Sequence, residues 1–133
     1  AEKTVRIISF AGKCETEFFR GEVLPGGVDV QVLGAAESKS SETVDCGKAV
    51  DVSAGCTTLG TVSARYILEG VDASGTPCKI YVENEGVIDA QKGMLTTPKV
   101  LTDSEELKWM HEAELKCSFE TRNEEFHVII YVE

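Results

Sequence analysis

Proline is scarce, three residues in 133; tryptophan occurs once, and methionine and histidine twice each. Basic residues are also few, 13 against 23 acidic ones, which leaves a formal net charge of -10. That charge repels a phosphate backbone and an anionic lipid surface alike, so no nucleic acid and no membrane are expected as partners. No stretch approaches the roughly 18 consecutive apolar residues of a spanning helix, and the N-terminal residues lack the basic and apolar regions of an export signal. A soluble, cytoplasmic protein is the expectation. There is no phosphate-binding glycine loop, and neither His111 nor His127 has a serine or cysteine partner in a local motif.

Cysteine is present five times, but no pair has the C-x-x-C spacing, and the two histidines are remote in sequence from Cys46 and Cys56, the only two that share a loop-like segment. Zinc is therefore not expected, and neither is any other metal or cofactor. Five free thiols of a reducing compartment are the first reading; two bridges and a spare thiol are the second. Cys46 and Cys56 share one loop-like segment and are the pair best placed to bond.

What the chain does have is strand patterning. A chain of this length is expected to form a single domain, 1-133, with one core. Val5 to Ala11 is β-branched and aromatic, as a strand would be. Phe18 to Leu24 and Val28 to Leu33 flank Pro25-Gly26-Gly27 and predict a tight hairpin. Residues 34-58 bury little and predict a mobile loop. Leu59 to Glu69 alternates, with Val62, Ala64, Tyr66 and Leu68 on one face and Ser63, Arg65, Ile67 and Glu69 on the other. Asp72-Ala73-Ser74-Gly75 turns the chain into Cys78 to Asn84, where Ile80, Val82 and Asn84 oppose Lys79, Tyr81 and Glu83. Pro98 marks an edge or a bulge in the next strand. A short helical turn is predicted near 103-109 from the acidic cap-like residues before it. Two last strands meet at Thr121 to Glu124. Seven or eight strands joined by short loops predict an all-β fold, an antiparallel up-and-down barrel of about eight strands, with a β-sandwich as the alternative.

Several of these pieces stand together in a recognisable order: Arg20-Gly21-Glu22-Val23-Leu24-Pro25-Gly26-Gly27-Val28-Asp29, Ala64-Arg65-Tyr66, Ile80-Tyr81-Val82-Glu83-Asn84-Glu85-Gly86, Thr96-Thr97-Pro98 and Trp109. In this the chain resembles the UPF0311 family, also called the DUF3237 family, with departures at Val30, Leu95 and Met110-His111. The resemblance implies a small bacterial β-barrel of about eight antiparallel strands and no established activity.

A guanidinium on a central strand needs water or a carboxylate, so Arg65 is expected to pair with Asp29 or Glu22 if it points inward, leaving donors for a ligand. Tyr66, Tyr81 and Trp109 would supply aromatic walls, Asn84 a polar contact, and His111 a group that titrates near neutrality. The candidate ligand site is thus Glu22, Asp29, Arg65, Tyr66, Tyr81, Asn84, Trp109 and His111. The first expectation is a protein that binds an unknown small molecule at the barrel's interior or mouth. The second is a cofactor-independent isomerase, cyclase or lyase in which Asp29 or Glu22 moves a proton. A filled structural barrel is the third, and a homo-oligomer stays open.

Overall fold

The computed structural model describes residues 4-34 and 58-132. Nine strand segments and one 3₁₀ turn account for most of them: β1 Thr4–Ser9, β2 Lys13–Glu15, β3 Phe19–Val23, β4 Val28–Leu33, β5 Thr58–Asp72, β6 Pro77–Asp89, β7 Gly93–Thr102, β8 Lys116–Arg122 and β9 Glu125–Tyr131, with the 3₁₀ turn at Lys108–His111 before β8. Every strand pairing is antiparallel. The fold is all-β, and the helical turn lies a few residues beyond where the sequence pattern puts it.

Pro25-Gly26-Gly27 does not close a hairpin. Val23 faces Leu68 and Val28 faces Arg65, so β3 and β4 run in the same direction along β5, and Leu24 to Gly27 bulge out over Tyr66 and Ile67. Gly26 adopts a φ of 107°, and a side chain on Gly27 would sit 3.2 Å from the Tyr66 Cβ, which is why the two glycines are needed at this kink. The reversal comes earlier, at Thr16. Its Oγ1 accepts from the N–H groups of Phe18 and Phe19, each at 3.1 Å, a side-chain-capped turn with no Gly or Pro to announce it. β1 and β2 then run as one broken strand beside β4 and β3.

The large sheet is therefore a meander: β1/β2, β3/β4, β5, β6, β7. Hydrogen bonds do not close it among the described residues, because β8 and β9 pair only with each other as a separate sheet. The all-β antiparallel class expected from the sequence holds, barrel-like or sandwich-like with no closure by hydrogen bonds among the described residues, and the β8–β9 hairpin is set against the inner face of the large sheet. β6 does not end near Asn84 and Gly86, as the sequence pattern predicts, but runs on to Asp89. β7 is an edge strand, as Pro98 requires. Thr102 turns its N–H away from β6 to His111, and by the alternation of a ladder Pro98, four residues earlier, stands where its missing N–H leaves no gap in the pairing with β6.

The core lies at one end of the inner face. Phe19, Cys78, Ile80, Val82, Val100, Leu107 and Leu115 are buried there, and Tyr66, Leu68, Met110 and Ile130 pack against them. Full burial of one such valine or leucine is worth about 1.5–3 kcal/mol. Asp72 pins the β5–β6 turn over this core. One of its oxygens accepts from the Ser74 hydroxyl at 2.7 Å and from the Ser74 and Thr76 N–H groups, the other from the Ser104 hydroxyl at 2.9 Å. These bonds hold its carboxyl below the usual carboxylate range. The expected loop at 34-58, with Cys46 and Cys56, lies outside the described residues except at its ends.

Candidate functional site

Beyond the apolar core the inner face becomes polar, and strand register shows how. Ile8, Asp29, Ala64, Asn84 and Pro98 face one another in a row across β1, β4, β5, β6 and β7. The next row is Arg6, Gln31, Val62, Gly86 and Thr96. Paired residues share a face of a sheet, so Asp29 and Gln31 form one wall, Asn84 and Thr96 the other, and the floor between them is Ala64 in the first row and Val62 and Gly86 in the second.

The two walls are bonded differently. Arg6 donates to Gln31 Oε1 at 2.8 Å, and Gln31 Nε2 donates to Asp29 Oδ2 at 2.9 Å. Across the floor Asn84, 4% exposed, donates its Nδ2 to the Cys117 sulfur of β8 at 3.3 Å. Two acceptors are left over: Asp29 Oδ1 and Asn84 Oδ1 are buried and have no hydrogen-bond partner among the described residues. The Thr96 hydroxyl closes no bond of its own, though it lies near enough to Cys117 to favour the thiolate. Burial outweighs this and holds the Cys117 thiol above its ordinary value. Tyr66 stands one row nearer the core, edge-on to Phe10 at a centroid distance of 5.2 Å. Burial, with Cys117 and Cys14 nearby, pushes its hydroxyl up to about 12, so it remains a neutral phenol at physiological pH.

The hairpin forms the roof. Cys117 and Ile130 point to the sheet, and register turns Phe119, Val128 and Phe126 the same way. Phe119 and Phe126 stack at 5.8 Å, yet Phe126 is 60% exposed and Val128 43%. An apolar surface thus continues past the core with nothing covering its outer half among the described residues.

Of the residues singled out in the sequence, Asp29, Tyr66 and Asn84 come together on this inner face. Arg65, Glu22 and Tyr81 lie on the opposite one. Arg65, half exposed, donates to Glu83 at 2.8 Å and to Glu85 at 2.5 Å, not to Asp29 or Glu22. The reason is parity: Arg65 is adjacent to Ala64 and Tyr66 in the strand and must face away from them. Glu22 stands opposite Glu69, on the same outer face. Tyr81 donates to Glu83 at 2.9 Å and borders a groove of about 430 Å3 along the β7 edge, with Met110, His111 and Leu115 across it. His111 accepts the Thr102 N–H through Nε2 at 2.9 Å, which requires that nitrogen to be unprotonated. Trp109 is 50% exposed and plugs nothing; Met110 packs on the core in its place. Among the described residues no buried polar atom of this outer groove lacks a partner, whereas two of the acceptors inside do.

Sequence reasoning missed Arg6, Gln31, Thr96 and Cys117. The first two could have been found, since Arg6 and Gln31 interrupt β-branched runs in the strands that contain them. Among the described residues no three His, Cys, Asp or Glu side chains are grouped to hold a metal, and no helix is long and apolar enough to cross a membrane. No family model matches the chain, and neither a curated protein nor a solved structure matches it.

Proposed function

We propose that this protein binds a small molecule, and that the ligand lies against the inner face of the sheet between Asp29 and Asn84, beneath the β8–β9 hairpin. One observation carries the reading: two buried acceptors stand on either side of Ala64 with no hydrogen-bond partner among the described residues. An unmet buried polar atom costs about 1–3 kcal/mol, and such a cost is retained in a fold where a ligand repays it. The outer groove, about 430 Å3, has no comparable demand.

The motifs from Arg20-Gly21-Glu22 to Trp109 support placing the chain with the UPF0311 family, whose barrel interior would correspond to this face. Cys14, Cys78 and Cys117 are free thiols, which supports a reducing, cytoplasmic setting.

The test is a fragment screen on isotope-labelled protein, read at the Asn84 side-chain amide. Binders should shift that amide and the Phe126 ring together, and Asn84→Leu should abolish the shifts. If every binder maps to Tyr81 and His111, or if only a long-lived water contacts the Asn84 amide, the reading is wrong.

A further inference from the structure

Resting on that reading, we propose that the ligand is an amphipathic molecule with an N–H-donating head, a primary ammonium or carboxamide, and a flat apolar body. The head sits between Asp29 Oδ1 and Asn84 Oδ1, and the body lies under Phe119, Phe126 and Val128.

The donor and acceptor count assigns the head. Inside the site each side-chain amide nitrogen already makes one bond, Gln31 Nε2 to Asp29 and Asn84 Nδ2 to Cys117. Arg6 is exposed and bonds Gln31 at 2.8 Å. Among the described residues the buried atoms left unmet here are the acceptors Asp29 Oδ1 and Asn84 Oδ1 and the Thr96 hydroxyl, which can turn either way, while the neutral Tyr66 phenol stands one row nearer the core. A carboxylate or phosphate head would add acceptors to acceptors, and Asp29 would repel its charge. A head rich in N–H groups meets both. Asp29 and Asn84 are two strand spacings apart, about 10 Å between Cα atoms, which leaves room for one nitrogen with a hydrogen bond of about 2.9 Å on either side.

The roof assigns the body. Phe126 and Val128 share a face with Cys117, which touches Asn84, so the apolar surface begins where the polar floor ends. Large exposed side chains on a face turned toward the interior are what an apolar ligand would cover.

Three probes separate the possibilities: phenethylamine, hydrocinnamamide and hydrocinnamate, which share a ring and a short linker and differ in the head. The readout is the dissociation constant from the Asn84 amide shift, alongside a spectrum that reports folding. The amine and the amide should bind, with hydrocinnamate about tenfold weaker or more, the size of one charge-assisted hydrogen bond. Asp29→Asn should weaken the amine about tenfold and change the amide less. Phe126→Ser, at an exposed position that leaves the core untouched, should weaken both. Should hydrocinnamate bind best, with its shifts centred on Arg6, the site exists but the assigned head is wrong. Should none of the three move the Asn84 amide while other fragments do, the class fails and the site stands. Should nothing move it, the site itself fails.

Discussion

Replacing Gly86 with alanine should unsettle the sheet and the site floor together. Gly86 faces Thr96 across β6 and β7, and a Cβ built on it falls 2.7 Å from the Thr96 Cα and closer still to the Leu95 carbonyl oxygen. Carbon atoms in contact rest about 3.5–4.0 Å apart, so β7 must retreat by about 1 Å. Strands separated that far lose good hydrogen-bond geometry locally. Three ladder bonds at about 1 kcal/mol each give about 3 kcal/mol, offset by roughly 0.5–1 kcal/mol because alanine restricts the unfolded chain. The net loss is about 2–3 kcal/mol, or roughly 10 °C in melting temperature for a domain of this size. Urea unfolding followed by circular dichroism measures it, and Gly75→Ala is the control. Gly75 has a φ of 85° with no atom within 4 Å of its would-be Cβ, so its cost is backbone strain alone, about 1 kcal/mol. If Gly86→Ala loses no more than Gly75→Ala, the two strands do not approach as closely as described, and the small floor between Asp29 and Asn84 goes with them.

Asp72 links stability to acid. Its pKa is lowered from the ordinary 3.8 by its hydrogen bonds, so the stabilisation is present above 3.8 and is lost as pH falls through the lower folded value. Asp72→Asn should be less stable than the parent at neutral pH, and the gap should narrow in urea titrations taken progressively below pH 3.8; a gap constant with pH would contradict this. Tyr66, raised to about 12, is a neutral phenol whose folded form resists ionisation, so its stabilisation is complete below the unfolded value and fades as pH rises toward 12. Tyr66→Phe should therefore remove the last step of the tyrosinate absorbance titration and flatten the alkaline loss of stability. The β8–β9 turn places Glu124 at a φ of 68°, beside Asn123 at 51°. Glycine fits that second position better, and Glu124→Gly should stabilise the protein by about 0.5–1 kcal/mol without altering ligand shifts at Asn84.

Alternation along single strands is legible in the order of the amino acids alone. The sequence by itself put Tyr66 and Ala64 on one face of β5 and Arg65 on the other, aligned Asn84 with Ile80 and Val82, and grouped Phe126, Val128 and Ile130 in β9. Those assignments hold because the two-residue period is a property of the backbone, independent of what the strand packs against. Taken at its word, the same alternation already separates Arg65 from Tyr66 and Asn84, and the guanidinium draws attention to itself only by its charge. Which face would be inner, and which strands would be neighbours, were decided by tertiary contacts. Pro25-Gly26-Gly27 can reverse a chain or kink it. The outcome was set by β5, long enough to pair with β3 and β4 end to end, while the true reversal needed only one threonine hydroxyl. Arg6, Gln31, Asp29, Asn84 and Cys117 meet across separations of up to more than a hundred residues. No local rule joins them; only register, which the whole sheet settles at once, brings two unmet acceptors to the same floor.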